Sequence, residues 1–323
     1  MAPHPRSSAT QFKAPSDRAI YSISLDRSDG ALAIGQQSAG HNSPTLSLMD
    51  ISNGEITDVI ERSTRQSESV YRVLFSPRKD LLAYVIQEGS AFRLAIYDRE
   101  SRSKATIAEE GQPFLQNGLS IASDGRLLVL GAETISLFDT QTMTEVGSIR
   151  STQFETDLDD DPLFAPTASI SPDGKLLALG GLKKNRLSII DIQRQVEIRQ
   201  LQGPFKATKQ IAFDRKGELI AAVDSFARGL CLWDVRSGER VLSDLFNEDG
   251  ASIYSCCFSP SMNQLAVGYV NSFVSLFDLP NGEELLSDSI HKGRVHQVCF
   301  DSEGTKLISG GQDQRVVIRA IRT

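Results

Sequence analysis

The sequence predicts an all-β chain assembled from seven copies of one four-stranded unit, and three observations predict it. The first is a phrase that returns along the chain: an apolar run, a turn of the Ser-Pro-Asp-Gly kind, a second apolar run, then an apolar triplet closed by Asp. It reads Phe75-Ser-Pro-Arg-Lys-Asp-Leu-Leu-Ala-Tyr84 leading to Leu94-Ala-Ile-Tyr-Asp98, Ser171-Pro-Asp-Gly-Lys-Leu-Leu-Ala-Leu-Gly-Gly181 leading to Leu187-Ser-Ile-Ile-Asp191, and Phe258-Ser-Pro-Ser-Met-Asn-Gln-Leu-Ala-Val-Gly268 leading to Val274-Ser-Leu-Phe-Asp278. The second is the closing residue itself, which recurs at Asp50, Asp98, Asp139, Asp191, Asp234 and Asp278. The third is the period: copies of roughly 40–50 residues made of short strands are the signature of propeller blades. The runs are rich in leucine and β-branched residues and show no helical periodicity.

Each element of a copy has its own justification. In residues 292–319, Val295 to Phe300 alternates apolar with other side chains, as a half-buried strand does. Asp301-Ser-Glu-Gly304 supplies a turn, Lys306 to Ser309 a second strand, Gly310-Gly-Gln-Asp313 a second turn and Arg315 to Ile318 a third strand. Asp234-Val-Arg-Ser-Gly238-Glu-Arg-Val-Leu242 shows the fourth strand of an earlier copy, after the closing Asp and a tight turn. One such unit cannot bury its apolar faces without neighbours, so the 323 residues read as one domain despite their length.

Composition narrows the function classes. The net charge of −7 argues against a general nucleic-acid binder, which needs a basic footprint. No apolar run is long enough for a membrane helix, and the N-terminus lacks the apolar stretch of a signal peptide. Four cysteines do not make a disulfide framework in a chain of this length, and Cys231, Cys257 and Cys299 fall inside apolar strand runs. The expectation is buried free thiols and a reducing, cytoplasmic setting. Cys256 and Cys257 are adjacent and point to opposite faces of a strand, so they cannot chelate zinc as a Cys-x-x-Cys pair would; no metal and no cofactor is expected.

These copies resemble the WD-repeat family of β-propellers over nearly the whole chain. Leu230-Cys-Leu-Trp-Asp234 carries the family's naming dipeptide, and the other copies use Met49-Asp50, Tyr97-Asp98, Phe138-Asp139, Ile190-Asp191 and Phe277-Asp278. The resemblance implies a seven-bladed ring of four-stranded antiparallel sheets. The last copy stops after its third strand, and in this family an N-terminal stretch completes the last blade and closes the ring. Residues near Thr10 to Ala14 are the candidates for that strand, with 1–8 expected as a disordered tail and 9–323 as the single propeller. The family's hydrogen-bonded set of His, Ser and Asp is matched by His291, Ser309 and Asp313, while its Trp position holds Arg319.

An enzyme needs an acid, base or nucleophile in a cleft. Of the four histidines, His4 lies in the tail, His41 in a Ser/Gly/Asn loop and His291 in the structural set, which leaves His296 with no assignable partner. The acidic loop 155–161 lacks the ligand spacing and turn glycine of an EF-hand. The related phosphoinositide-binding propellers carry a Phe/Leu-Arg-Arg-Gly motif. The matching stretch here reads Leu245-Phe-Asn-Glu-Asp-Gly250, with acids in place of the arginines, and Phe226-Ala-Arg-Gly229 lies elsewhere in its copy. A membrane-surface propeller and, behind it, a propeller enzyme are therefore the alternatives. The favoured reading is a non-enzymatic scaffold that binds a protein or peptide.

In the family, partners dock on the top face around the central channel, on residues six and four positions before the last apolar residue of each first strand. Here those positions include Tyr21, Tyr71, Asn117, Phe164, Lys209, Tyr254, Arg294 and His296. Tyr recurs at the inner position in three copies, and Tyr, His and Arg are interface-prone types. The resemblance implies solvent-exposed anchors on one rim. The acidic loop adds the expectation of a basic partner segment, and the chain is expected to act alone or as a subunit of a larger complex.

Overall fold

The structure is a computed structural model of the chain, and it describes residues 9–64, 68–78, 80–89, 91–110, 119–130, 134–150, 167–180, 186–203, 208–224, 229–242, 251–261, 263–279 and 281–321. The expected tail, residues 1–8, and the acidic loop 155–161 lie outside these. Among the described residues the chain forms seven four-stranded antiparallel sheets and no helix. Six sheets take four consecutive strands each, as Ile20–Leu25, Ala31–Gln36, Pro44–Asp50 and Ile56–Arg62 do in the first. The last is built from Val295–Phe300, Lys306–Gly311, Arg315–Ala320 and, as its outer strand, Ala9–Lys13. In that pairing Gln11 faces Val317 and Phe12 faces Val316.

The recurring aspartates have local work. At the turn between first and second strands, the Asp26 carboxylate accepts hydrogen bonds from the Gly30 and Ala31 amides, 2.9 Å each, and Asp214 does the same for Glu218 and Leu219 at 2.8 Å. The closing aspartates cap the turn into the fourth strand: Asp139 accepts from the Gln141 amide at 2.6 Å and Asp234 from the Ser237 amide at 2.6 Å. A side chain that satisfies turn amides in this way fixes the reversal.

No sheet has a core of its own. Each apolar cluster is shared by two sheets consecutive in sequence, and one cluster joins the first sheet to the last through Ile20, Ile23, Leu32 and Ile34 against Ile308, Val316 and Ile318. The approach is close where a second strand carries glycine. A Cβ on Gly35 would stand 2.8 Å from the Val70 carbonyl, and one on Gly310 would stand 2.9 Å from the Ile20 side chain. The first strands of all seven sheets line one central cavity of about 430 Å³.

In the last sheet, His291 Nδ1 lies 2.8 Å from an Asp313 oxygen and Nε2 lies 2.8 Å from the Ser309 hydroxyl, with the imidazole fully buried. Arg319, at the family's Trp position, pairs instead with Asp288. The single tryptophan, Trp233, is buried and donates to the Gln202 carbonyl at 3.1 Å.

Two outcomes test this arrangement. Removing residues 1–13 strips the outer strand from the last sheet and exposes an edge, and should lower stability in denaturant by several kcal/mol, on the order of 0.5–1.5 for each lost ladder hydrogen bond. His291→Ala leaves Ser309 and Asp313 without their buried partner and should cost about 1–3 kcal/mol in the same assay.

Candidate functional site

At one end of the central cavity, five residues from five different sheets form a continuous stack. Tyr71 lies on Tyr21 with ring centres 4.5 Å apart and planes 9° from parallel. Tyr21 lies on His296 at 5.6 Å, and His296 on Tyr254 at 4.8 Å. The Lys209 ammonium sits 2.8 Å from the centre of the Tyr254 ring, closing the row with a cation–π contact. In this order the stack passes through the second, first, seventh, sixth and fifth sheets. Beneath it is a narrow pocket of about 80 Å³, lined by these five residues together with Arg72, Gln210, Ser255 and Gln297.

A backbone irregularity sets these side chains at a common height. In each of the five sheets, the pairing of first and second strands slips by one residue. Ile20 faces Gln36 and Ser22 faces Gly35, leaving Tyr21 unopposed. Tyr71, Lys209, Tyr254 and His296 are the unopposed residues of the other four. A bulge of this kind re-aims the extra residue out of the strict alternation of the strand. The fixed phase of the repeat was legible in the sequence, whereas the bulge at that phase was not. The signal that could have found it is a polar or aromatic residue interrupting the alternation at one place in five copies.

The stack differs from the expected row of exposed anchors. Tyr21, Tyr71, Lys209, Tyr254 and His296 are half-buried, and only Arg294 stands exposed at the rim. Rings that cover one another lose water-accessible surface, so these residues also support the fold. Asn117 and Phe164, the remaining expected members, lie outside the described residues, as do Leu245 to Gly250 and residues 226–228 of the weighed phosphoinositide motifs.

Burial governs ionisation here. Burial is the first cause that pushes Lys209 down from 10.5 to about 7, with the positive charge of Arg294 as the second. His296 is also lowered, first by burial and then by nearby Lys209, Arg294 and His291, against an opposing hydrogen bond to the Ile20 carbonyl. That bond, 2.7 Å from Nδ1, fixes the tautomer, because a carbonyl oxygen only accepts; Nδ1 carries the proton. It also ties the last sheet to the first. The Tyr21 and Tyr254 phenols are raised by burial and remain protonated.

Below the stack, side chains from the first strands reach across to the next sheet. Ser22 Oγ accepts from the Val73 amide at 3.1 Å; Gln210 brackets Cys256, accepting from its amide at 3.0 Å and donating to its carbonyl at 2.9 Å. Gln297 Oε1 accepts from Ser22 Oγ at 2.7 Å and from the Ile23 amide at 3.2 Å. Arg72 occupies the same position in the second sheet and makes no such bond; its Nε is buried without a partner. Among the described residues, no cluster of three or more His, Cys, Asp or Glu side chains is placed to hold a metal, and none of the four cysteines is joined in a disulfide.

Comparison with known proteins agrees with this architecture. The family described as WD domain, G-beta repeat matches residues 282–318. The chain is 29% identical to the U3 small nucleolar RNA-associated protein 15 homolog of Xenopus tropicalis over 141 residues, 43% of this chain and 26% of that protein. It is 29% identical to apoptotic protease-activating factor 1 of Mus musculus over 108 residues, 33% of this chain and 8% of that protein. A chain in the crystal structure of the mitotic checkpoint complex superposes on it with a TM-score of 0.76 at 17% identity, covering 100% of this chain and 97% of the other. The chain resembles the WD-repeat family, in the matched repeat and in its fold. It spans only 26% and 8% of the length of these two curated relatives.

The buried amine gives this chain a pH signature. Native Lys209 gives up its proton near pH 7, whereas the unfolded chain keeps it until about 10.5. The native state is therefore penalised in full below pH 7, and the penalty fades as pH rises toward 10.5. Lys209→Met should raise the melting temperature more at pH 6 than at pH 9; equal shifts at both would show an ordinary lysine.

Proposed function

We propose that this chain is a closed seven-bladed WD-repeat propeller that serves as a non-enzymatic interaction scaffold, holding an extended protein segment over the mouth of its channel. The closed ring is supported by three contacts at the seam between first and last sheets. These are the shared apolar cluster, the His296 bond to the Ile20 carbonyl and the Gln297 bonds to Ser22 and Ile23. The observation that carries the function is the stack itself. Aromatic and cationic side chains from five sheets converge on one small opening, and such groups dominate the energy of interfaces. A backbone laid across this mouth would cover rings already held in place, so little rotamer entropy is lost on binding.

The charge around the opening refines the expected partner. Lys209, Arg294 and Arg72 surround it, and among the described residues no carboxylate lines the pocket. The mouth therefore favours an acidic segment. The basic segment expected from sequence rests on the loop 155–161, outside the described residues.

Capture of partners from the native host tests the proposal, with the wild-type chain compared against the triple variant Tyr21→Phe, Tyr71→Leu, Tyr254→Leu. The substitutions keep apolar bulk, so the fold should survive, as a thermal melt would verify. Partner binding should fall by at least tenfold, and should weaken as salt rises. Retained binding in the folded triple variant would place the interface elsewhere.

A further inference from the structure

We propose that the channel mouth holds a tetrahedral oxyanion of the phosphate class, seated between Arg72 below the aromatic stack and Lys209 within it. This rests on the reading of the mouth as the binding face and adds the chemistry that the mouth selects. The first observation is Arg72. In the first strands, the residue after the bulge is Ser22, Gln210, Ser255 and Gln297 in four other sheets, and Arg72 is the charged one among these described positions. Ser22, Gln210 and Gln297 spend their polar atoms on the backbone of the next sheet. Arg72 does not, and its Nε is shut off from solvent without an acceptor. A buried guanidinium with an unused donor is costly unless something accepts from it.

The second observation is what lies around it. The Ser255 hydroxyl lines the same pocket and is also buried without a partner. Lys209 lines the same pocket at the end of the row, with its ammonium over the Tyr254 ring and the charge of Arg294 close enough to act on it. The Tyr21 and Tyr254 phenols are held protonated and His296 neutral. The pocket of about 80 Å³ has more than twice the roughly 30 Å³ that one water takes up in the liquid. A planar carboxylate presents both oxygens on one side. A tetrahedral group can present oxygens in separate directions, to Arg72 and to Lys209, from within the one pocket that both line. Such an ion would satisfy Arg72 and favour the charged form of Lys209 that burial disfavours.

Calorimetric titration of the full chain tests this with two probes, inorganic phosphate and an Ala-phosphoserine-Ala peptide blocked at both ends. Arg72→Gln places in the second sheet the residue type found at positions 210 and 297, so it should fold; Lys209→Met is the second variant. Both probes should bind the wild type, and each substitution should weaken them at least tenfold. Peptide binding at least tenfold tighter than phosphate would identify a phosphorylated partner side chain as the source, whereas equal binding would identify the free ion; either supports the site. No heat or thermal shift with either probe up to tens of millimolar, or unchanged binding in folded Arg72→Gln, would overturn it. Should the oxyanion site fail while the triple tyrosine variant still loses its partners, the docking face stands without the anion. Should that variant retain its partners while Arg72→Gln loses phosphate, the anion site stands and the docking reading falls.

Discussion

Every part of this molecule depends on the burial of sheet against sheet. A four-stranded sheet with apolar residues on both faces has no stable form alone, and here each face is covered by the neighbouring sheet. Glycines in the second strands allow the approach. With a Cβ at Gly35 or Gly310, the next first strand would have to retreat, and the shared clusters would open. Because the same contact recurs between the last and first sheets, with Ile20 set against Gly310, the seam is packed by the same rule as the other junctions.

The close approach also explains why the mouth is crowded. Once first strands lie side by side around a cavity, residues at one phase of each strand meet. The bulge lifts Tyr21, Tyr71, Lys209, Tyr254 and His296 out of the alternating pattern and onto one another. The rings gain stacking and lose water, and the two basic groups among them lose stability in their charged forms. A surface built this way carries positive charge that the fold partly suppresses. Binding of a negative group would release that suppression.

Polar groups lining the cavity show the same economy with two departures. Serine and glutamine side chains bridge adjacent sheets at the level below the stack, which satisfies first-strand amides that have no ladder partner on that side. Among the described residues of that series, Arg72 Nε and Ser255 Oγ are buried without a partner. A cation in place of serine or glutamine gives up the junction contact that Ser22, Gln210 and Gln297 make.

The sequence by itself determined the repeat. The period, the Ser-Pro-Asp-Gly turns and the closing Asp specify strands, reversals and strand order, because each depends on neighbours within a few residues; the caps made by Asp139 and Asp234 are local in this sense. It also determined the phase at which Tyr21, Tyr71 and Tyr254 recur, and the candidates Thr10 to Ala14 overlap the observed outer strand Ala9–Lys13. Only the tertiary structure decided that these tyrosines stack as half-buried partners of His296 and Lys209 instead of standing as separate exposed anchors. It alone showed that Arg72 Nε is buried without an acceptor. Both facts join residues from different sheets, up to 275 positions apart for Tyr21 and His296, across a cavity that exists only when the sheets assemble. The depressed ionisation of Lys209 follows from the same assembly, since burial is a property of the surroundings and no pattern of neighbours along the chain encodes it.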